Sequence, residues 1–324
     1  MKAALCKSLD GPDAIVIETI DPPTCGPDDV VVDVKAVGLN FLDTLITRGK
    51  YQFKPELPFS PAAEFAGVVA QTGAAVNGFK VGDDVCGYLG SGCARAQVVA
   101  RPENLALMPP GVDYEAAAGI SITYGTAMHG LVDRGRVKPG ETVAVLGASG
   151  GAGLAAVEIA KQLGARVIAA ASSAEKLAVC REHGADATID YSEGDLKQAL
   201  RDATDGAGVD VVYDCVGGDF AEPALRALAW EGRFLVVGFA AGTIPKIPLN
   251  LTLLKSCDIV GVFWGAASRR DPARQSAHLA QVLSWIGEGK LVPHVHASYP
   301  LERIAEAIGV LDRREATGKV IVTL

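Results

Sequence analysis

Along the first third of the chain, apolar positions come in short runs cut by Gly, Pro and Asp. The runs Ala14–Ile20, Val30–Val37, Phe65–Ala70 and Ala96–Ala100 predict strands of a small, irregular β barrel. Within Val30–Val37, Asp33 and Lys35 fall on one face, as in a strand with one solvated side. After Thr123 the pattern changes. Apolar runs at Val143–Leu146, Val167–Ala170, Ala187–Ile189, Val209–Tyr213, Phe234–Val237 and Ile259–Phe263 alternate with helical segments at Gly153–Leu163, Ala174–His183, Asp195–Thr204 and Phe220–Leu228. This alternation predicts an α/β fold with a doubly wound, six-stranded parallel sheet. Beyond Arg270 it stops. A helix near Ala273–Gly287, a strand His294–Tyr299, a helix Leu301–Arg314 and a strand Val320–Leu324 predict a tail that returns to the N-terminal barrel. The expected domains are 1–123 with 267–324, and 124–266.

A chain of 324 residues has room for two such domains, and 49% hydrophobic with 21% charged residues is a globular composition. The net charge of -8 is dispersed, which argues against nucleic acid or an anionic membrane as partner. The start, MKAALCKSLDGPD, lacks a secretory pattern, and Val143–Val157 is short and glycine-rich for a membrane span. Seven cysteines with no C-x-x-C pair are expected to be reduced thiols. Together these predict a cytoplasmic protein.

The strongest local signal is the turn Gly147-Ala148-Ser149-Gly150-Gly151-Ala152-Gly153 after the strand Val143–Leu146. Small residues at Gly150, Gly151, Ala152 and Gly153 let the backbone approach a pyrophosphate, and the free amides of a helix N-terminus attract it. A glycine triplet alone is weak, and this spacing differs from G-x-G-x-x-G; its place at the head of the β-α series gives it weight. The second strand ends in Ala170-Ala171-Ser172-Ser173, with no acid to bind the ribose hydroxyls of NADH. Ser172, Ser173 and Lys176 can bind a ribose phosphate, which favours NADPH; Ser173 can equally N-cap the next helix.

With Val37-Gly38-Leu39-Asn40-Phe41-Leu42-Asp43, Arg48-Gly49-Lys50-Tyr51, Phe65-Ala66-Gly67-Val68-Val69, the Gly147–Gly153 turn, Asp210–Gly218 and Thr317-Gly318-Lys319-Val320, the whole chain resembles the zinc-free, ζ-crystallin-like quinone oxidoreductases of the medium-chain dehydrogenase/reductase superfamily. The resemblance implies a Rossmann domain inserted in a GroES-like catalytic barrel. Zinc-dependent relatives carry a Cys where this chain has Asn40 and a His where it has Ala63, so no metal is expected. It also implies that Asn40 and Tyr51 line the substrate cleft near the nicotinamide. Thr126 is expected beside the cofactor, and Tyr191 joins Ser172 and Lys176 around the 2′-phosphate. Cys215, Val216, Gly238, Phe239, Ala240, Phe263 and Trp264 are expected to cover ribose and nicotinamide, with Lys319 reaching in from the tail. Ala62-Ala63 departs from the family's usual Pro-Gly before Glu64.

Without a metal to polarise a carbonyl, hydride delivery to an electrophilic quinone or enone is the expected chemistry, with Asn40 and Tyr51 bonding the carbonyl oxygen. The competing expectations are an NADPH-dependent reductase of activated alkenes (enones, 2-haloacrylates or acyl thioesters) and a non-catalytic NADPH-binding redox sensor. A homodimer formed through the sheet edge near Ile259–Phe263 is also implied.

Overall fold

The computed structural model describes residues 1–324, which divide into two compact units, Met1–Ile122 with Gly265–Leu324, and Thr123–Trp264. In the first unit, β1 (Lys2–Cys6) and β2 (Ile15–Thr19) pair as an antiparallel ribbon. A seven-stranded sheet contains β3 (Val30–Leu39), β4 (Glu64–Thr72), β5 (Asp84–Tyr88), β6 (Gln97–Ala100) and β7 (Leu105–Leu107). The second unit holds β8 (Thr142–Leu146), β9 (Arg166–Ala171), β10 (Ala187–Asp190), β11 (Val209–Asp214), β12 (Leu228–Val236) and β13 (Asp258–Gly261). The tail supplies β14 (Val295–Pro300) and β15 (Lys319–Thr323), and β15 pairs antiparallel with β3, so the tail does return to the first unit.

β3 organises the first sheet. Its start pairs with both β4 and β6, and its end with β4 and β15. Asp33 and Lys35 are the only less-buried positions along it, so the predicted alternation holds in the middle while neighbours cover both faces at the ends. The core beneath includes Val32, Val37, Leu39, Phe65, Ile304 and Ile308.

In the second unit the six strands are parallel in the order β10-β9-β8-β11-β12-β13. The chain winds outward from β8 in one direction and from β11 in the other. The space beyond the carboxyl ends of β8 and β11 is therefore the switch point, where open α/β sheets bind ligands. The expected helix Phe220–Leu228 is shorter: a 3-10 turn Gly218–Phe220 leads into Ala221–Arg226, and Leu228 already belongs to β12. The Ala227 carbonyl is claimed by the Val209 amide at 3.1 Å, which draws the chain into the sheet. The strands β1, β5 and β7 are only five, five and three residues long and carry no periodic signal in the sequence. No helix is long and apolar enough to cross a membrane.

Candidate active site

In the second unit, the turn after β8 is built by close backbone packing. Gly147 has φ 68°, and a Cβ there would lie 2.8 Å from Val216 Cγ2, so the loops after β8 and β11 touch. A Cβ on Gly153 would sit 2.1 Å from the Gly147 carbonyl oxygen, which leaves no residue but glycine. Gly150 is the N-cap of the helix Gly151–Gln162 and carries no capping side chain. The amides of Gly151, Ala152 and Gly153 therefore have no intrahelical carbonyl and no cap, the arrangement that receives a pyrophosphate. This cradle fits a dinucleotide.

The end of β9 brings together the residues expected at the 2′-phosphate. Lys176 Nζ donates to Ser172 Oγ at 3.3 Å, and Ser173 Oγ accepts the Lys176 amide at 3.3 Å as the N-cap of Ala174–Glu182, so Ser173 does cap the helix. Tyr191 follows β10, donates its amide to the Ala171 carbonyl at 3.0 Å and packs on Phe220 with ring centroids 4.5 Å apart. No carboxylate ends β9. After β11, buried Asp214 accepts the Val216 and Gly217 amides at 2.8 and 2.9 Å, turning the chain back. Burial raises its carboxyl above the ordinary range despite those bonds. Ala240 donates to the Cys215 carbonyl at 3.1 Å, and the Gly238 amide to the Asp214 carbonyl at 3.1 Å, so the two expected loops form one layer. Phe239 and Phe263 are exposed, whereas Trp264 is buried and covers Gly125, one residue before half-buried Thr126.

The first unit carries a buried polar cluster. Glu64 opens β4 opposite Gly38 of β3, and Lys319 opens β15, one residue past the Val320–Leu39 pair. That register places a carboxylate and an ammonium on either side of β3 where the chain leaves at Asn40. Lys319 Nζ donates to the Leu39 carbonyl at 2.6 Å, Asn40 Oδ1 at 2.8 Å and Glu64 Oε1 at 2.8 Å. Lys319, expected at the cofactor, thus spends its three donors inside the first unit. Asn40 Nδ2 donates to Glu64 Oε1 at 2.8 Å, and Glu64 Oε2 accepts the Ile122 amide at 2.8 Å. Asp43, in the helix Phe41–Ile46, accepts the Asn40 amide at 2.8 Å and the Ala62 amide at 3.0 Å. Complete burial raises its carboxyl to about 6, more than those two bonds and Lys319 lower it.

Tyr51 packs beside Cys6, Ile46 and Phe59 and remains partly exposed. Burial raises its hydroxyl above the ordinary phenol range, opposed by the positive charge of Arg269. Burial likewise raises Tyr88 to about 12, with Tyr51 adding to the rise and Arg269 opposing it. Sequence reasoning missed Asp43, Glu64, Tyr88 and Arg269 as site groups. The Asn-x-x-Asp spacing of a capping box was available for Asp43; nothing local pointed to Arg269.

These are the two folds of the medium-chain dehydrogenases: a Rossmann sheet with a glycine turn suited to a dinucleotide, whose residues are inserted in sequence between the two segments of a GroES-like barrel. Residues 26–128 match the alcohol dehydrogenase GroES-like domain, and residues 151–283 the domain family described as zinc-binding dehydrogenase. The chain is 40% identical to quinone oxidoreductase-like protein 2 of Rattus norvegicus, over all of this chain and 92% of that protein. It is 33% identical to the quinone oxidoreductase of Pseudomonas aeruginosa, over 96% of each. The crystal structure of Escherichia coli quinone oxidoreductase complexed with NADPH superposes with a TM-score of 0.90 at 28% identity, over all of both chains. The chain belongs to the quinone oxidoreductase family of the medium-chain dehydrogenase/reductase superfamily.

The zinc named in one domain description does not fit the residues present. Between Asn40 and Glu64 stands the Lys319 ammonium, 2.8 Å from both, and a divalent cation would have to share that space with a positive charge. No group of three or more His, Cys, Asp or Glu converges as a metal site elsewhere. His294 and His296 both reach Thr317 Oγ1, at 3.3 Å each, with no further ligand between them.

Proposed function

We propose that this protein is a metal-independent, NADPH-dependent reductase that transfers hydride to quinones. The observation that carries the reading is the donor set of the first unit: a buried amide and a partly exposed phenol, with an internal ammonium in place of a Lewis acid. Such a site offers hydrogen bonds and no metal polarisation, which suits an acceptor that is already electrophilic. When bound, the nicotinamide supplies the hydride.

The amides of Gly151, Ala152 and Gly153 would hold the pyrophosphate, and Ser172, Lys176 and Tyr191 the 2′-phosphate. The Lys176–Ser172 contact and the lack of an acid at the end of β9 support NADPH over NADH. Thr126, the loops Cys215–Val216 and Gly238–Ala240, and Phe263 are assigned to the rest of the cofactor. Asn40 and Tyr51 would bond the acceptor oxygen as negative charge develops, with solvent supplying the proton. A second reading rests on Arg269. Its charge acts on both Tyr51 and Tyr88 and suits acceptors carrying a carboxylate, so activated alkenes such as 2-haloacrylates come next.

We also propose a cytoplasmic homodimer. All seven cysteines are free thiols, in keeping with a reducing compartment, and β13 is an unpaired sheet edge flanked by exposed Leu249, Leu253, Leu254 and Phe263. The test of the catalytic reading is Tyr51→Phe. Quinone turnover should fall by roughly tenfold with NADPH affinity unchanged, the size expected for one lost neutral hydrogen bond. Complete inactivity with intact cofactor binding would instead require an obligatory proton donor at Tyr51.

A further inference from the structure

The ion pair between Lys319 and Glu64 is almost wholly withdrawn from water, with side chains 5% and 0% exposed. The fold makes room for it. A Cβ on Gly38 would lie 2.8 Å from Glu64 Oε1, and one on Gly119 would lie 2.9 Å from Lys319 Cγ. Buried ion pairs are weak evidence for a stabilising role, because desolvation offsets their attraction, and they serve better to select one arrangement. The arrangement selected here is that of Asn40.

An ammonium only donates and a carboxylate only accepts, so the Asn40 amide has one orientation. Its oxygen faces Lys319 Nζ at 2.8 Å, and its nitrogen faces Glu64 Oε1 at 2.8 Å. The second N–H of that nitrogen meets only the Gly38 carbonyl, at 3.4 Å. That N–H is the one group of the amide not strongly held. Asp43 fixes the Asn40 backbone amide at 2.8 Å, so both ends of the residue are restrained.

We infer that Lys319 is a positioning residue which, with Glu64, fixes Asn40 as a one-sided hydrogen-bond donor, so that Asn40 presents an N–H and never its oxygen to a bound molecule. The inference rests on the proposed role of Asn40 at the acceptor oxygen, and it names what that role requires: a partner with a carbonyl-type acceptor atom. Lys319 acts through Asn40 and touches no reacting atom.

The test uses the full-length protein and the variants Lys319→Met, Lys319→Met/Glu64→Gln and Lys319→Arg. The side-chain amide of Asn40 is followed by 1H–15N NMR, with its resonances assigned through Asn40→Asp, and quinone turnover is measured alongside. Wild type should show one slowly exchanging Asn40 amide pair. Lys319→Met should broaden or double it and lower kcat by about tenfold, the worth of one neutral hydrogen bond, with NADPH affinity unchanged. Lys319→Arg, whose planar fork does not replace a point donor, should not restore kcat. Lys319→Met leaves Glu64 buried and unpaired and is expected to lose stability; the double variant removes both charges. It should regain melting temperature while kcat stays low, because a Gln at 64 accepts either face of the amide. Recovery of kcat together with stability in the double variant, or an Asn40 signal indifferent to Lys319, overturns the inference. A wild type that reduces no acceptor but whose Asn40 signal depends on Lys319 overturns the quinone reading and upholds the positioning.

Discussion

Two buried carboxylates, Asp43 and Glu64, share one cluster with a single ammonium, and the imbalance falls on Asp43. Its carboxyl is raised from 3.8 to about 6, chiefly by burial. The folded protein thus holds this proton more tightly than the unfolded chain does. The contribution to stability is complete below about pH 4 and is lost as pH rises through 6, by roughly 3 kcal/mol at neutral pH. Asp43→Asn removes the titration, so the stability of the variant relative to wild type should improve from pH 4 to pH 7 in denaturant unfolding. A difference independent of pH would show that Asp43 does not titrate in this window. Asn40 and Lys319 were legible as residues of interest, but not their mutual bond. That bond spans 279 positions and depends on the register of β15 against β3, which no local pattern encodes.

At the scale of the element, the turn after β8 was the most legible feature, because strand, glycines and helix are contiguous. The structure separates glycines the fold needs from one it does not. Gly153 is needed: a Cβ would lie 2.1 Å from one backbone atom and 2.8 Å from another, so Gly153→Ala should cost about 2 kcal/mol or more and disturb the turn. Gly150 has φ -76°, and its Cβ would meet nothing closer than 3.5 Å. Gly150→Ala should therefore leave stability within about 0.5 kcal/mol while weakening NADPH binding by roughly tenfold, as followed by thermal melts and fluorescence titration. Unchanged affinity would remove Gly150 from the cofactor site. The alternating strands and helices of the second unit were legible for the same reason of contiguity. The barrel was read only in part, since β1, β5 and β7 span five, five and three residues, too few for a periodic pattern to show.

At the scale of the whole molecule, the open edge at β13 bears on assembly. The Val262 amide bonds the Val236 carbonyl at 2.9 Å, so by alternation the Ile259 amide points away from β12. Ile259→Pro removes that outward donor and spares the inner pairing. Wild type should sediment as a dimer and the variant as a monomer with an unchanged circular dichroism spectrum; a monomeric wild type would contradict the proposed dimer. The most direct test of the account is oxidation of NADPH, and separately of NADH, by chelator-treated protein against ortho- and para-quinones, enones and 2-haloacrylates. The expected result is quinone-dependent loss of NADPH, slower loss of NADH, and no effect of added zinc. Turnover of the alkenes alone, a requirement for zinc, or cofactor binding without turnover of any acceptor would contradict it.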